Sequence, residues 1–101
     1  MNSKPILAAL DDDTEILTVV SAMAEKAGFS VVANTQPNAL LDLLDETPPL
    51  VIVLDLQMPQ MDGIQVLREL ANRQVQAGII LLTGMDERTI AAAEVMPLRG
   101  A

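Results

Sequence analysis

The chain has 101 residues, half of them apolar, and 14 acidic against 6 basic residues give it a formal net charge of −8. This length suffices for one small hydrophobic core, so a single domain over residues 1–101 is expected. Cysteine and histidine are both absent from the sequence, which excludes disulfides, thiolate nucleophiles and the commonest transition-metal ligands.

The acidic charge also bears on partners and location. Phosphate backbones would be repelled, and the single aromatic residue, Phe29, offers no stacking platform, so no direct nucleic-acid binding is expected. No apolar run approaches the ~20 residues that span a bilayer. The N-terminal segment MNSKPILAALDDD lacks the cleavage site of a signal peptide. We therefore expect a soluble, cytoplasmic protein with no membrane segment.

Short apolar runs alternate with segments of helical spacing along the chain. The first helix is predicted from Thr14, with Asp12 and Glu15 at capping-box spacing and Gly28 at its C-terminal end. Asp13 and Glu15 are interpreted as capping residues and not as metal ligands. Pro37 suits the first turn of a second helix, which the prolines at 48 and 49 end. The remaining predictions are strands at Ile6 to Leu10, Phe29 to Ala33, Leu50 to Leu54 and Ile79 to Thr83, a third helix at Ile64 to Arg73, and a fourth helix capped by Asp86 that includes Ile90 and Val95.

The alternation of strand and helix predicts an α/β fold with a doubly wound parallel sheet. Strands that are apolar throughout suit a sheet covered by helices on both faces. In such sheets, ligands bind at the carboxyl ends of the strands, where the strand order reverses. The residues at those ends are therefore the candidates for a functional site.

Acidic residues follow two of these strands, and a hydroxyl follows a third. Strand 1 ends at Asp11 and Asp12, strand 3 at Asp55 and strand 4 at Thr83. Carboxylates this close repel one another unless a cation neutralises them, and Mg²⁺ prefers such oxygen ligands. An aspartate beside Mg²⁺ is also a plausible nucleophile toward a phosphoryl group, and Asp55, alone at its strand end, is the best candidate.

Each of these residues also has a simpler interpretation. The aspartates at 11 to 13 would serve equally as a solvated turn with a helix cap, and a lone aspartate after a strand is usually a turn residue. Thr83 followed by Gly84 would simply end a strand. The joint pattern favours a site, while each residue taken alone leaves both interpretations open.

These segments resemble the receiver domains of bacterial two-component response regulators. The segment ILAALDDDTEIL is similar to their first strand and acidic loop, VIVLDLQMPQMDGIQVLREL to their phosphorylation-site strand, loop and third helix, and IILLTG to their fourth strand. The resemblance covers essentially the whole chain. It implies a flavodoxin-like sheet with strand order 2-1-3-4 and phosphorylation by a histidine kinase or phosphotransfer protein.

The resemblance implies a role for each matching residue. Asp55 would accept the phosphoryl group, Asp12 would bind Mg²⁺ directly, and Asp11 would act through water or as an electrostatic partner. Gln57 would offer its backbone carbonyl to the metal. Thr83 would contact the phosphoryl oxygens, and Gly84 would keep the site open. The domain would be a switch for an output domain or partner and not a turnover enzyme.

The chain departs from the family pattern near its C-terminal end. Receivers continue into a fifth parallel strand with a lysine that pairs with the phosphoryl group, and then a fifth helix. Neither is expected here, so the receiver domain is predicted to be incomplete and to lack the catalytic lysine. Strand 4 would then be an exposed apolar edge. A fragment of a longer receiver is the preferred explanation, and a partner chain covering the edge, as in a dimer, is the alternative.

Other functions compete with the phosphorylated switch. The main alternative is a phosphorylation-independent interaction module, a pseudo-receiver. A phosphatase of the haloacid dehalogenase type would need a second acid where Gln57 stands, and a dinucleotide site would need a GxGxxG after strand 1. The segment LLTGMDERTIAAAEV is faintly similar to receivers joined to EAL-type cyclic-di-GMP phosphodiesterase domains, and a DNA-binding output domain would be an equally ordinary companion.

Overall fold

A computed structural model describes residues 4–56 and 63–82, and the backbone of residues 92–97. The elements in chain order are strand β1 (Ile6–Leu10), helix α1 (Thr14–Lys26), strand β2 (Ser30–Asn34), helix α2 (Pro37–Glu46), strand β3 (Val51–Asp55), helix α3 (Gly63–Asn72), strand β4 (Gly78–Leu82) and strand β5 (Ala92–Pro97). None of the described helices is long and apolar enough to cross a membrane. Up to β4, these bounds lie close to those predicted from the sequence.

The first four strands form a parallel sheet in the order β2-β1-β3-β4, as predicted. Leu10 of β1 lies beside Leu54 of β3, and Asp55 lies beside Leu82 of β4. The strand order reverses between β1 and β3, since the chain passes from β1 to one side and from β3 to the other. The carboxyl ends of β1 and β3 therefore meet at the middle of one sheet edge.

The structure overturns the prediction for the segment after β4. Val95, expected within a fourth helix, lies in β5, which runs antiparallel to β4. The free backbone groups of β4 explain the difference, because pairing with β5 satisfies them and covers an edge that the sequence analysis expected to be exposed. β5 is not the parallel fifth strand of the family pattern. Asp86 and Ile90 lie outside the described residues.

The first two helices begin and end at identifiable residues. Asp13 is the N-cap of α1, and its carboxylate accepts hydrogen bonds from the backbone N–H groups of Glu15 and Ile16 at 2.9 and 3.4 Å. This confirms Asp13 as the capping residue, one position after the Asp12 that the capping-box spacing indicates. Gly28 follows α1 with φ +101°, a conformation that favours glycine, and Pro37 occupies the first turn of α2.

The core consists of two layers, one on each face of the sheet. Helices α2 and α3 cover one face, where Leu40, Val66 and Leu70 pack with inward residues of the strands. Helix α1 covers the other face through Leu17 and Ala24. Adjacent residues of β1 and β3 point into opposite layers and are buried in both, which explains why these strands are apolar throughout.

Candidate functional site

Three aspartates meet at the carboxyl ends of β1 and β3. Asp11 and Asp12 follow β1 directly, and Asp55 is the last residue of β3. Each offers a carboxylate oxygen, and these oxygens all lie within 4.8 Å of one another. Asp11 and Asp55 are only 3 % and 8 % exposed, whereas Asp12 is exposed. Two buried acids thus form the floor of the cluster, and one exposed acid lies at its rim.

The pKa of the Asp11 carboxyl is strongly raised. Its pKa is raised from 3.8 to about 7, chiefly by burial, and the negative charge of Asp55 and hydrogen bonds with Asp55 and Asp12 contribute to this rise. The backbone N–H of Asp13 opposes this rise, because it donates a 2.9 Å hydrogen bond to Asp11 Oδ1. Near neutral pH, the Asp11 carboxyl is therefore about half protonated.

Asp13 belongs to the loop that supports the cluster. Its backbone N–H binds Asp11, and its side chain caps α1. The backbone N–H of Asp11 in turn donates to the carbonyl of Asn34 at the end of β2, at 3.2 Å. These contacts hold the turn between β1 and α1 in one conformation. The cap interpretation therefore applies to Asp13, while Asp11 and Asp12 converge on Asp55.

Gly63, the first residue of α3, lies directly against the end of β3. A Cβ built there would be 2.5 Å from Leu56 Cα and 2.7 Å from the Asp55 carbonyl oxygen. Its backbone N–H donates to the Leu56 carbonyl at 3.3 Å. Both contacts are with backbone atoms, so a side chain at position 63 would require the backbone of β3 or α3 to shift, which is energetically costly. Glycine at 63 thus permits the close approach of α3 to the acid cluster.

The cluster fits a hard divalent cation. Carboxylate oxygens are the ligands that Mg²⁺ and Ca²⁺ prefer, and softer transition metals would call for histidine or cysteine, which the sequence lacks. The raised pKa of Asp11 points the same way, because a cation would relieve the repulsion that disfavours its ionised form. Asp11, Asp12 and Asp55 are the described residues that could hold such an ion.

The remaining predicted site residues lie outside the described part of the chain. Gln57, Thr83 and Gly84 are among them, although Leu56 and Leu82, which precede two of them, are described. The backbone N–H of Leu56 donates to the Leu82 carbonyl at 3.2 Å. The part played by Gly63 in packing was not predicted from the sequence. The sequence signal for this glycine is the Asp-Gly pair at 62–63, a dipeptide typical of turns.

Comparisons with known proteins agree with this arrangement. The family model described as the response regulator receiver domain matches residues 7–98. The alkaline phosphatase synthesis transcriptional regulatory protein PhoP of Bacillus subtilis (strain 168) is 31% identical over 87 residues, which are 86% of this chain and 35% of that protein. The chain thus spans about a third of the length of this relative.

Solved structures give the same result for the fold. The receiver domain of the Francisella response regulator 1452 is 28% identical, with a TM-score of 0.72 over 82% of this chain and 69% of that one. A Burkholderia pseudomallei response regulator, solved with a phosphorylated aspartic acid, a calcium ion and citrate, has a TM-score of 0.72 at 22% identity over 80% of this chain and 48% of that one. The chain belongs to the family of response regulator receiver domains, the signal-receiving modules of two-component systems.

Proposed function

We propose that this receiver domain accepts a phosphoryl group on Asp55. One observation carries the proposal: the Asp55 carboxylate ends β3 within 4.8 Å of the carboxylate oxygens of Asp11 and Asp12. A buried acid with two acidic neighbours is costly to maintain for structure alone. The Burkholderia response regulator of the same fold, with its phosphorylated aspartic acid, supports the assignment.

The transfer needs a nucleophile and a donor. One Asp55 carboxylate oxygen would form a bond to the phosphorus of a phosphohistidine or a small acyl or amido phosphate. The bond from phosphorus to the donor's nitrogen or oxygen would break, and its electron pair would leave with the donor, which takes up a proton where it needs one. The product is an acyl phosphate, which adds negative charge to this edge of the sheet.

The same residues would hold a magnesium ion. We assign Asp11, Asp12 and Asp55 as carboxylate ligands and the backbone carbonyl of Gln57 as a further oxygen donor. Bound Mg²⁺ would neutralise charge on the acids and on the incoming phosphoryl group. Asp11, whose raised pKa reflects burial beside Asp55, must lose its proton to act as a ligand. The hydrogen bond from the Asp13 N–H would hold its carboxylate in place meanwhile.

The readout is assigned to the end of β4. Thr83 would move toward the phosphorylated aspartate and donate a hydrogen bond from its hydroxyl to a phosphoryl oxygen. Gly84 would leave room for this movement. The donor would be a histidine kinase or phosphotransfer protein in the cytoplasm, and the receiver would control an output domain or a partner without catalytic turnover of its own. PhoP is a transcriptional regulatory protein, which supports a regulatory output. An EAL-type domain remains a narrower proposal that rests on sequence similarity alone.

The decisive experiment is to incubate the chain with acetyl phosphate or phosphoramidate, with and without Mg²⁺, and to measure intact mass. We expect a gain of one phosphoryl group that requires Mg²⁺ and is abolished by Asp55→Asn. Asp42→Asn is the matched control, because it makes the same charge change at an exposed position of α2 and should leave the gain intact.

Two outcomes would contradict the proposal. The first is no mass gain in a chain whose circular dichroism shows the folded state. The second is a gain of the same size in Asp55→Asn, which would place the acceptor elsewhere. Asp12→Asn tests the metal assignment separately, since it should raise the Mg²⁺ concentration needed for half-maximal phosphorylation while leaving Asp55 available.

A further inference from the structure

Helix α1 carries an apolar patch on its solvent side with one charge at each end. At about 100° per residue, five exposed residues fall on a single stripe along the helix. Val19 and Met23, 44% and 65% exposed, lie at its centre with the small Ala22 beside them. Glu15 lies in the first turn and Lys26 in the last. This α1 stripe comprises Glu15, Val19, Ala22, Met23 and Lys26.

We propose that two copies of this chain associate through the α1 stripe, with their α1 helices antiparallel about a twofold axis. A twofold interface must be self-complementary, because the same surface is used by both copies. The α1 stripe meets this requirement in its charges and in its shape. None of its residues belongs to the acid cluster, so self-association does not depend on the phosphorylation proposed above.

Charge complementarity selects both the occupant and the direction. When Val19 of one copy lies beside Met23 of the other, the twofold axis passes near position 21. Glu15 of each copy then reaches Lys26 of the other, and the two helix dipoles run in opposite directions. A parallel arrangement would instead juxtapose Glu15 with Glu15 and Lys26 with Lys26. Only the antiparallel pair gives two ion pairs around an apolar centre.

The shape of the surface agrees with this pairing. Ala22 lies nearest the axis, where a small side chain allows two helices to approach to about 8–10 Å. An open apolar groove of about 300 Å³ adjoins the stripe and is lined by Val20, Met23 and Ala24 of α1 together with Phe29, Val53 and Ile80. The unbranched Met23 of the second copy would lie beside Val19 and gain apolar contacts there.

The association should be weak and reversible. One pair of short helices buries less than the roughly 1,200 Å² of a standard stable interface. The net charge of −8 on each copy also opposes association, although salt near 0.15 M screens it beyond about 8 Å. The full chain should therefore be examined over tens to hundreds of micromolar at that ionic strength, by sedimentation velocity.

Cysteine substitution tests the geometry directly, because the natural chain has no thiol. With a rise of 1.5 Å per residue, the two copies of position 22 lie about 3 Å apart along the axis, within disulfide reach, whereas those of position 25 lie about 12 Å apart. We expect Ala22→Cys to form an oxidised dimer at least tenfold faster than Glu25→Cys. Equal rates, or a faster rate for Glu25→Cys, would overturn the proposal.

Charge exchange tests the pairing without a covalent link. Glu15→Lys and Lys26→Glu alone should each weaken dimerisation several-fold, and the double exchange should restore it. Met23→Glu should abolish it, whereas Thr18→Glu, an equal charge change on another side of α1, should not. A chain that stays monomeric at all concentrations, or a double exchange no better than its parents, refutes self-association and leaves the stripe to a different partner. Circular dichroism confirms that each variant is folded.

Discussion

The raised pKa of Asp11 makes the stability of the metal-free protein depend on pH in an unusual direction. Its folded-state pKa of about 7 lies above the ordinary value of 3.8 for an unfolded aspartate. Between these two values, the folded chain holds a proton that the unfolded chain has released. The free energy of unfolding should therefore fall as the pH rises from 5 to 7, whereas an aspartate with a lowered pKa would have the opposite effect.

The size of the effect follows from the same pKa. One proton held only by the folded state changes stability by about 1.4 kcal/mol for each pH unit. Two pH units therefore give an upper value of about 3 kcal/mol. Because Asp12 at the rim is exposed, water reaches this sheet edge and screens the interaction. We halve the upper value accordingly and expect the wild-type chain to lose about 1.5 kcal/mol between pH 5 and pH 7.

Urea denaturation followed by far-ultraviolet circular dichroism measures this change, since the chain has neither tryptophan nor tyrosine for fluorescence. Experiments in EDTA at pH 5, 6 and 7 should show the loss in the wild type. Asp11→Asn should remove at least half of it, because asparagine does not ionise and its side-chain oxygen can still accept from the Asp13 N–H. Asp42→Asn, the matched charge change, should retain the full slope.

Magnesium should reverse the trend at neutral pH. At a free concentration ten times its dissociation constant, an ion that binds only the folded state adds about 1.4 kcal/mol. The stabilisation should be larger at pH 7 than at pH 5, where Asp11 keeps its proton. A metal-free wild type that is as stable at pH 7 as at pH 5 would refute the role of Asp11 in this pH dependence. An Asp42→Asn variant that flattens the slope as much as Asp11→Asn would refute it too.

Three further substitutions test the supporting structure by urea denaturation. Gly63→Ala should destabilise the protein by about 1–3 kcal/mol, because the new Cβ would lie 2.5 Å from the Leu56 backbone. Gly78→Ala should be nearly neutral, because a Cβ there has nothing within 4 Å. Equal effects of the two substitutions would contradict the close approach of Gly63 to β3. Asp13→Ala should lower the free energy of unfolding by about 1 kcal/mol because the α1 cap is lost, and Asp13→Asn should lower it clearly less. An Asp13→Ala variant as stable as the wild type would show that the cap does not stabilise the protein. Gln74→Gly should stabilise by about 0.5 kcal/mol, since Gln74 has φ +55°, and destabilisation would show that its side chain matters more than its backbone.

Much of the fold could be predicted because local signals and the buried sheet agree. β1 and β3 are apolar in both layers, so their sequences indicated strands covered on both faces. Gly28 and Pro37 marked the boundaries of the first two helices. The convergence of Asp11, Asp12 and Asp55 followed from the rule that functional groups gather at the carboxyl ends of parallel strands.

The parts that could not be predicted depend on tertiary contacts. The segment around Val95 has helix-compatible residues, and only the unpaired edge of β4 makes a strand the better solution. The closeness of Gly63 to Asp55 required the packing of α3 against the end of β3.

The pairing of β1 with β3 also has a consequence for how the chain folds. Of the strand pairs described, this one joins residues farthest apart in sequence, such as Leu7 and Val51, whereas Leu82 meets Ala92 after a short connection. Closing a longer segment costs more chain entropy, so β4 and β5 can meet early while β1 and β3 meet late. The acid cluster straddles that late contact. The three aspartates are therefore brought together only when β1 and β3 have paired.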